Sequence, residues 1–176
     1  PWNDMCPEDE QGPGGNAYAG CVAVSMAAIM HYWSFPETGS GERTYWASGY
    51  GYQRADFSSA YYDYDAMPNN TASTETQELL YHCGVSVNMG YNYDGSGASV
   101  FGSAPSAYHA MRNHFLYDNQ ISSVYPENYS DSQYRSILQD DLNQNQPIIY
   151  VGYSDDGGHA WNIDGYNDDY FHNNWG

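Results

Sequence analysis

The order of the periodic segments is the feature that most constrains the fold of this chain. Segments with helical signals come first, and the stretch from Pro147 onward contains three strand-like segments, "PIIYVGY", "HAWNIDGY" and "DYFHNNW". Helices followed by strands are typical of α+β domains, whereas a parallel α/β sheet alternates the two. The sequence therefore predicts an α+β fold, and its 176 residues suffice for one domain with a substantial core.

Apolar residues spaced three and four apart mark the first helix, which we expect to begin at Cys21. They lie on one helix face and are Val22, Met26, Ile29, Met30 and Trp33. Pro36 should end this helix. Residues 36–70 show little periodicity and many Gly, Ser, Tyr and Asp residues, so they are predicted to form a long surface excursion.

A second helix is predicted over residues 75–82. Thr74 and Gln77 resemble a capping box at its start, and Gly84 suits its C-terminal cap. The segment that follows, "VSVNMGY", alternates like a strand. Next comes "NYDGSGASVFGSA", which is typical of a flexible loop.

Two more helices are predicted before the strands. Pro105 can open the third, which should end near Tyr117. Ser130 with Gln133 forms a capping-box pattern for the fourth, and Pro147 marks its end. Its inward face should carry Tyr134, Ile137, Leu138 and Leu142.

The charge of the chain limits its partners. It carries 22 acidic residues against four arginines and no lysine, for a net charge of -18. Binding to nucleic acid or to an anionic membrane surface requires basic residues, so neither partner is expected. The composition suits a protein of a salty extracellular medium, and no apolar run approaches the length of a membrane span.

Cys21, in the pair Gly20-Cys21, has two interpretations. As a free cysteine it can be a buried space-filling thiol, since cysteine is among the most buried residue types. At a helix tip, however, the unpaired N–H groups and the positive end of the helix dipole favour a thiolate. Gly20 would let backbone or substrate approach closely, and the N–H of Cys21 could help to hold an oxyanion. The residues alone leave both interpretations open.

His159 is the candidate base. It follows "SDDGG" and starts a strand, and two glycines before a histidine let another chain pass close by, although a plain turn also uses them. Downstream, an asparagine of the Asn173-Asn174 pair could orient the imidazole and Trp175 could shield it from water. The chain order Cys, His, Asn is one of the convergent nucleophile–base–orienter sets.

Two other histidines, His31 and His82, are near predicted helix ends and are expected to be polar surface or interface residues. His172 lies in a strand and could be either a surface or an interface residue. His109 and His114 are five residues apart on a helix, which is poor spacing for a shared metal ion, and no HExxH pattern occurs.

Three blocks of sequence resemble the streptopain family of secreted bacterial cysteine proteases, within the papain-like group. They are "GCVAVSMAAIMHYWSFPETGSG", "ELLYHCGVSVNMGYNYDGSGA" and "NQNQPIIYVGYSDDGGHAWNIDGYNDDYFHNNWG". The entry segment "PWNDMCP" is similar as well, so the resemblance spans nearly the whole chain. It implies a papain-like α+β fold, in which a helical part carrying the cysteine precedes an antiparallel sheet carrying the histidine.

The resemblance also implies roles for individual residues. Cys21 would be the nucleophile and His159 the base and later the general acid. Asn174 would help to position that histidine and Trp175 would lie over it. The residues expected to line the substrate cleft are Gly20, Ser96, Gly97 and Gly158, the last through backbone hydrogen bonds to an extended peptide.

The chain departs from the family pattern in three places. The family carries an oxyanion-hole glutamine shortly before the "PWN"-like segment, and it continues with further strands after "NWG". We therefore expect residues 1–176 to form a single peptidase domain that is truncated at both ends. At Asn162 the family usually has an apolar residue.

The function that the resemblance implies is a secreted cysteine endopeptidase acting on protein or peptide substrates. Such enzymes are made as inhibited precursors, so a propeptide inhibitor is an expected partner, and neither a metal nor a cofactor is expected. The alternatives are a non-catalytic protease-like module of an extracellular surface structure and, less favoured, a thiol transferase or cysteine amidase.

Two features are left open by the residues. Cys6 and Cys83 could pair or remain free, because spacing does not decide between the two. The acidic pairs are expected on solvated faces, with calcium binding as an alternative to which no cofactor is assigned. These pairs are Asp140-Asp141, Asp155-Asp156 and Asp168-Asp169.

Overall fold

The computed structural model describes residues 1–155, 157–168 and 170–175 of the chain. The helices are α1 (Cys21–Trp33), α2 (Thr74–Ser86), α3 (Ala107–Asn113) and α4 (Asp131–Asn143). The strands are β1 (Glu42–Ala47), β2 (Gly51–Asp56), β3 (Ile148–Ser154), β4 (Gly157–Asn167) and β5 (Tyr170–Asn174). Short 3₁₀ turns lie at Pro13–Gly15, Tyr64–Ala66 and Pro126–Asn128. This mixture of helices and antiparallel sheets confirms the predicted α+β class.

Helix α1 is the element around which the core is built. It packs against α2 on one side and against β4 on the other. Because two elements cover it, its buried positions extend beyond one stripe to include Val22, Ala23, Ser25, Met26, Ala27, Ile29 and Met30. The helix ends where predicted, before Pro36, with Ser34 in the left-handed conformation and its N–H bonded to the carbonyls of Met30 and His31. No helix in the described part of the chain combines the length and the apolar character needed to cross a bilayer.

The prediction that residues 36–70 form a surface excursion is wrong. Strands β1 and β2 pair there as an antiparallel hairpin. The chain then turns inward and buries four aromatic and sulfur-containing side chains, Phe57, Tyr62, Tyr64 and Met67. The hairpin escaped detection because its outward face carries large aromatic residues: Trp46 and Tyr52 pair across the strands and are 63% and 76% exposed, while small Ala47 and Ala55 point inward. Side chains do alternate between the two faces of the hairpin, but the large apolar residues are on the exposed face instead of the buried one.

Helix α2 differs from its prediction at both ends. Ser73 is the N-cap, and its hydroxyl accepts a hydrogen bond from the N–H of Thr76. Gly84 lies inside the helix rather than after it, and glycine suits this position because a Cβ here would lie 2.6 Å from the hydroxyl of Tyr91. The helix continues to Ser86, so the predicted strand "VSVNMGY" is wrong; Gly90 forms an isolated bridge with Gly97.

Helices α3 and α4 begin close to the predicted positions. Ser106 caps α3 directly after Pro105, although this helix ends at Asn113, earlier than predicted. The capping box of Ser130 and Gln133 at the start of α4 is confirmed. On the predicted inward face, Leu138 is buried and Tyr134, Ile137 and Leu142 are half-buried.

The three C-terminal strands form one antiparallel sheet in the order β3-β4-β5, which confirms the strand-like segments. The register places His159 opposite Gly152, Gly158 opposite Tyr153, and Asn162 opposite Asn174. In the middle of β4, Asn162 contacts α1, whereas Trp161 packs on Tyr150 of β3, which in turn contacts Tyr134 of α4. The histidine strand therefore lies directly against the cysteine helix.

Two expectations about core residues are settled by the packing. Cys6 and Cys83 are both buried and free rather than paired. His82, expected to be a polar surface or interface residue, is buried, and its Nδ1 is 3.0 Å from the hydroxyl of Tyr62. The aromatic and apolar side chains around His82 come from the segment that the sequence placed at the surface.

Candidate active site

Cys21 is the first residue of α1 and is half-buried. Gly20 precedes it with φ 90° and ψ 141°, and no side chain caps the helix N-terminus. The first turn also lacks acidic residues, so the N–H groups and the positive end of the helix dipole remain available to an anion. Free N–H groups of this kind can stabilise an oxyanion.

Gly20 is required by the close approach of two neighbours. A Cβ at this position would lie 2.7 Å from Sδ of Met89 and 3.0 Å from the carbonyl oxygen of Ser96. A positive φ adds to the demand for glycine, since side chains rarely adopt it. The predicted cleft residues Gly20 and Ser96 are therefore brought together directly beside Cys21.

The helix tip contacts the histidine strand. Sγ of Cys21 accepts a hydrogen bond of 3.5 Å from the backbone N–H of Ala160, the residue after His159. These two residues are 139 positions apart in the chain. The contact places the candidate nucleophile and the candidate base on adjacent elements at the same edge of the α1–β4 packing.

The ring of His159 is exposed and belongs to an aromatic cluster. It stacks on Trp161 and on Trp175, with centroids 6.1 and 5.8 Å apart and interplanar angles of 20° in both cases. The two tryptophans are themselves 4.6 Å apart. Packing against the two tryptophans restricts the orientation of the His159 ring.

The sequence analysis missed Trp161, and it considered Asn173 only as one of two asparagines that could orient the histidine. Nε1 of Trp161 donates a 2.7 Å hydrogen bond to Oδ1 of Asn173, which ties β4 to β5 beside the histidine. In a strand, residue 161 shares a face with residue 159, so "HAW" contained a signal for Trp161. Nothing local could reveal the partner, because that depends on the register between β4 and β5.

Asn174 lies at the end of β5 and is exposed. Its Cα partner in the neighbouring strand is Asn162, and Trp175 follows it next to His159. Cys21, His159 and Trp175 therefore cluster at one end of the sheet, and Asn174 lies on the strand that delivers the tryptophan.

The two predicted walls of the cleft differ in character. Gly158 is exposed, and a Cβ on it would lie 2.9 Å from the ring of Tyr153 on β3. On the other side, Ser96 is buried, and its hydroxyl accepts a 3.0 Å hydrogen bond from the N–H of Asn92. Gly97 is exposed and exchanges backbone hydrogen bonds with Gly90. The predicted flexible loop is thus held by its own hydrogen bonds at the Cys21 end of α1.

The remaining ionisable candidates lie elsewhere. Nδ1 of His172 is 2.5 Å from Oδ1 of Asp164, and this exposed pair is on the strands beyond the aromatic cluster. His114 contacts the carbonyl of Ser40, and burial lowers its pKa. Among the described residues, no group of His, Cys, Asp and Glu forms a metal-binding cluster. Asp156 and Asp169, from two of the acidic pairs, lie outside the described residues.

A cysteine at the tip of a helix packed on an antiparallel sheet that carries a histidine is the arrangement of the papain-like cysteine proteases. Solved structures with the same architecture are those of interpain A from Prevotella intermedia. The active wild-type cysteine protease superimposes with a TM-score of 0.84 at 30% identity, covering 99% of this chain and 76% of that one. A mutant fragment of prointerpain A gives a TM-score of 0.85 at 29% identity, covering 99% of this chain and 57% of that one.

The chain belongs to the Peptidase C10 family, whose model matches residues 1–176. Streptopain of Streptococcus pyogenes is 29% identical over 185 residues, which cover 97% of this chain. The thiol protease/hemagglutinin PrtT of Porphyromonas gingivalis is 30% identical over 175 residues, which cover 93% of this chain. These matches span 46% of streptopain and 20% of PrtT, so this chain corresponds to about half or less of those relatives. The resemblance to the streptopain family is confirmed.

Proposed function

We propose that this chain is the peptidase domain of a secreted cysteine endopeptidase that cleaves protein substrates through a thioester intermediate. The observation that carries the proposal is the contact between Cys21 Sγ and the N–H of Ala160, which brings an uncapped helix tip to the strand of His159. Membership of the Peptidase C10 family and the likeness to thiol proteases support it. The proposed substrates follow from the family, and an inhibitory pro-segment is the proposed partner, as the prointerpain relative suggests.

The proposed reaction begins when the Cys21 thiolate attacks the carbonyl carbon of a peptide bond. The oxyanion is held by the N–H groups at the tip of α1, and the imidazolium of His159 donates its proton to the leaving amine as the C–N bond breaks. His159 then removes a proton from water, which attacks the thioester and releases the acid product as the C–S bond breaks. The thiolate is restored with His159 protonated.

The other residues have proposed roles in binding and orientation. Trp175 and Asn174, at the end of β5, orient the His159 ring. Gly158 offers its backbone to an extended peptide, since it lies before Asn162, the first residue of β4 that pairs with β5. Gly20 and the Ser96-Gly97 loop form the opposite wall, where a side chain at position 20 would collide with Ser96.

Labelling with an epoxide inhibitor of thiol proteases tests this function. We expect one adduct by intact mass, mapped by peptide digestion to Cys21 and absent from His159→Ala and Cys21→Ser. The two other cysteines are internal controls: both are buried, burial raises the pKa of Cys6 to about 12, and it also raises the pKa of Cys83. Cleavage of a fluorogenic peptide library by the same preparation would separate a peptidase from a thiol transferase or amidase.

A folded chain that gives no adduct on Cys21 would contradict the enzyme and favour a non-catalytic module. Adducts spread over all three cysteines would mean that the protein had unfolded, and thermal unfolding of the same sample would show this independently.

A further inference from the structure

A polar side chain lies inside the packing between the cysteine helix and the histidine strand. Asn162 of β4 is 5% exposed, and its Nδ2 donates a 3.2 Å hydrogen bond to the carbonyl oxygen of Ser25 in α1. The two residues are 137 positions apart, so this bond joins elements that no local interaction would align. Burial of a side-chain amide is costly unless it is hydrogen-bonded, and apolar residues could fill the same space.

This bond forms a matched pair with the contact at the helix tip. On β4 the donors are the N–H of Ala160 and the side chain of Asn162, two residues apart, and on α1 the acceptors are Cys21 and Ser25, four residues apart. Two strand residues span about 6.7 Å, and four helix residues advance about 6 Å. The spacing of the two donors along β4 therefore nearly equals the spacing of the two acceptors along α1, so both hydrogen bonds can form in a single alignment of the helix with the strand.

The position of Asn162 in the sheet extends its influence to β5. Its Cα partners are Ile149 on β3 and Asn174 on β5, and Trp175 follows Asn174 next to His159. A displacement of Asn162 relative to α1 would therefore move the strand that carries His159 together with the strand end that carries Trp175.

We propose that Asn162 is a positioning residue, whose side-chain amide sets the alignment of α1 on β4 and thereby the separation of Cys21 from His159. This inference rests on the proposed function. Apolar contacts are non-directional and tolerate sliding, whereas a hydrogen bond restricts both distance and angle. A misplacement of about 1 Å between reacting groups can reduce a rate on the order of a hundredfold, so a small loss of alignment is measurable.

Asn162→Leu tests the proposal, because leucine has nearly the shape of asparagine but cannot donate a hydrogen bond. The matched control is Ser86→Ala: Ser86 is also buried, and its hydroxyl donates to a helix carbonyl, that of Cys83, within α2 alone. On a peptide substrate, we expect Asn162→Leu to lower kcat roughly ten- to hundredfold with KM within about twofold. Ser86→Ala should leave both parameters within about twofold of wild type.

Exchange of the Ala160 amide hydrogen, followed by NMR, provides a readout that does not depend on activity. We expect faster exchange in Asn162→Leu than in wild type and an unchanged rate in Ser86→Ala, because the Ala160 N–H loses its bond to Cys21 only when helix and strand shift. Asn162→Val removes the same donor with a smaller side chain and replaces the leucine variant if that one does not fold.

The outcomes separate this inference from the proposed function. A wild-type protein with no turnover, combined with faster Ala160 exchange in Asn162→Leu, would contradict the proposed peptidase function and support the role of Asn162 in aligning α1 and β4. Unchanged kcat and unchanged Ala160 exchange in a folded Asn162→Leu would overturn the positioning role and leave the peptidase in place. Equal effects of Asn162→Leu and Ser86→Ala would also overturn it, because they would reflect stability alone.

Discussion

At the scale of single residues, the candidate active site requires a residue without a side chain, Gly20, as well as the side chains of Cys21 and His159. The positions of Cys21 at a helix tip and of His159 at the start of a strand could be predicted from their local sequence, whereas their proposed roles came from the resemblance to the family. The close approach of Gly20 to the Ser96 carbonyl could not be predicted, because it joins segments that meet only in the folded chain. The same holds for the Trp161–Asn173 hydrogen bond between adjacent strands.

Substitution of Gly20 should reveal how much that approach matters. Gly20→Ala combines an unfavourable positive φ with a collision, and we expect it to lower the free energy of unfolding in urea by about 1–3 kcal/mol. Gly49→Ala is the matched control, because Gly49 has φ 86° but open space around it. Gly49→Ala should therefore lower the free energy of unfolding only through the unfavourable positive φ, by on the order of 1 kcal/mol. Equal losses would show that contact with Ser96 and Met89 contributes nothing.

At the scale of elements, predictions succeeded where the signal was local and the apolar face was buried. The capping box of α4 and the three C-terminal strands are such cases. The β1–β2 hairpin was missed because its aromatic residues face outward. The start of α2 was misassigned by one residue because Ser73 and Thr74 are both suitable caps, and only the hydrogen bond to Thr76 distinguishes them.

Alanine substitutions of Ser73 and Thr74 should differ in their effect on the free energy of unfolding. Ser73→Ala removes the acceptor for the Thr76 N–H, so we expect the free energy of unfolding to fall by about 1 kcal/mol. Thr74→Ala alters an exposed residue of the first turn and should change it by less than about 0.5 kcal/mol. Urea titrations of both variants would decide. A larger loss in Thr74→Ala than in Ser73→Ala would assign the cap to Thr74.

At the scale of the whole molecule, the element order predicted the fold class but not which elements share the core. The segment between α1 and α2 surrounds His82 with Phe57 and Tyr62, so a residue expected at the surface is part of the interior. Burial lowers the pKa of His82 from 6.5 to about 4, against the smaller opposing effect of the Asp56 carboxylate. This histidine therefore remains neutral in the folded protein at pH values where it is charged in the unfolded chain.

The stability of the whole domain should consequently depend on pH in part through His82. In the window between about 4 and 6.5 the unfolded chain binds the extra proton, so the contribution of His82 is complete above pH 6.5 and falls as the pH decreases toward 4. Between pH 7.5 and pH 5 we expect a loss of about 2 kcal/mol in the free energy of unfolding. His82→Gln cannot ionise and should lose correspondingly less over that range. Parallel pH curves for the two proteins would contradict this assignment.

The long sequence separation between Cys21 and Ala160 also determines when the candidate active site can form during translation. Ala160 is the 139th residue that the ribosome adds after Cys21. At translation rates of about 5–20 residues per second, reaching Ala160 takes roughly 7–28 s. During that interval the helix tip has no histidine strand beside it. On the proposed function, a nascent chain therefore has no working protease site, and it cannot cleave its own unfolded segments, until synthesis has passed Ala160.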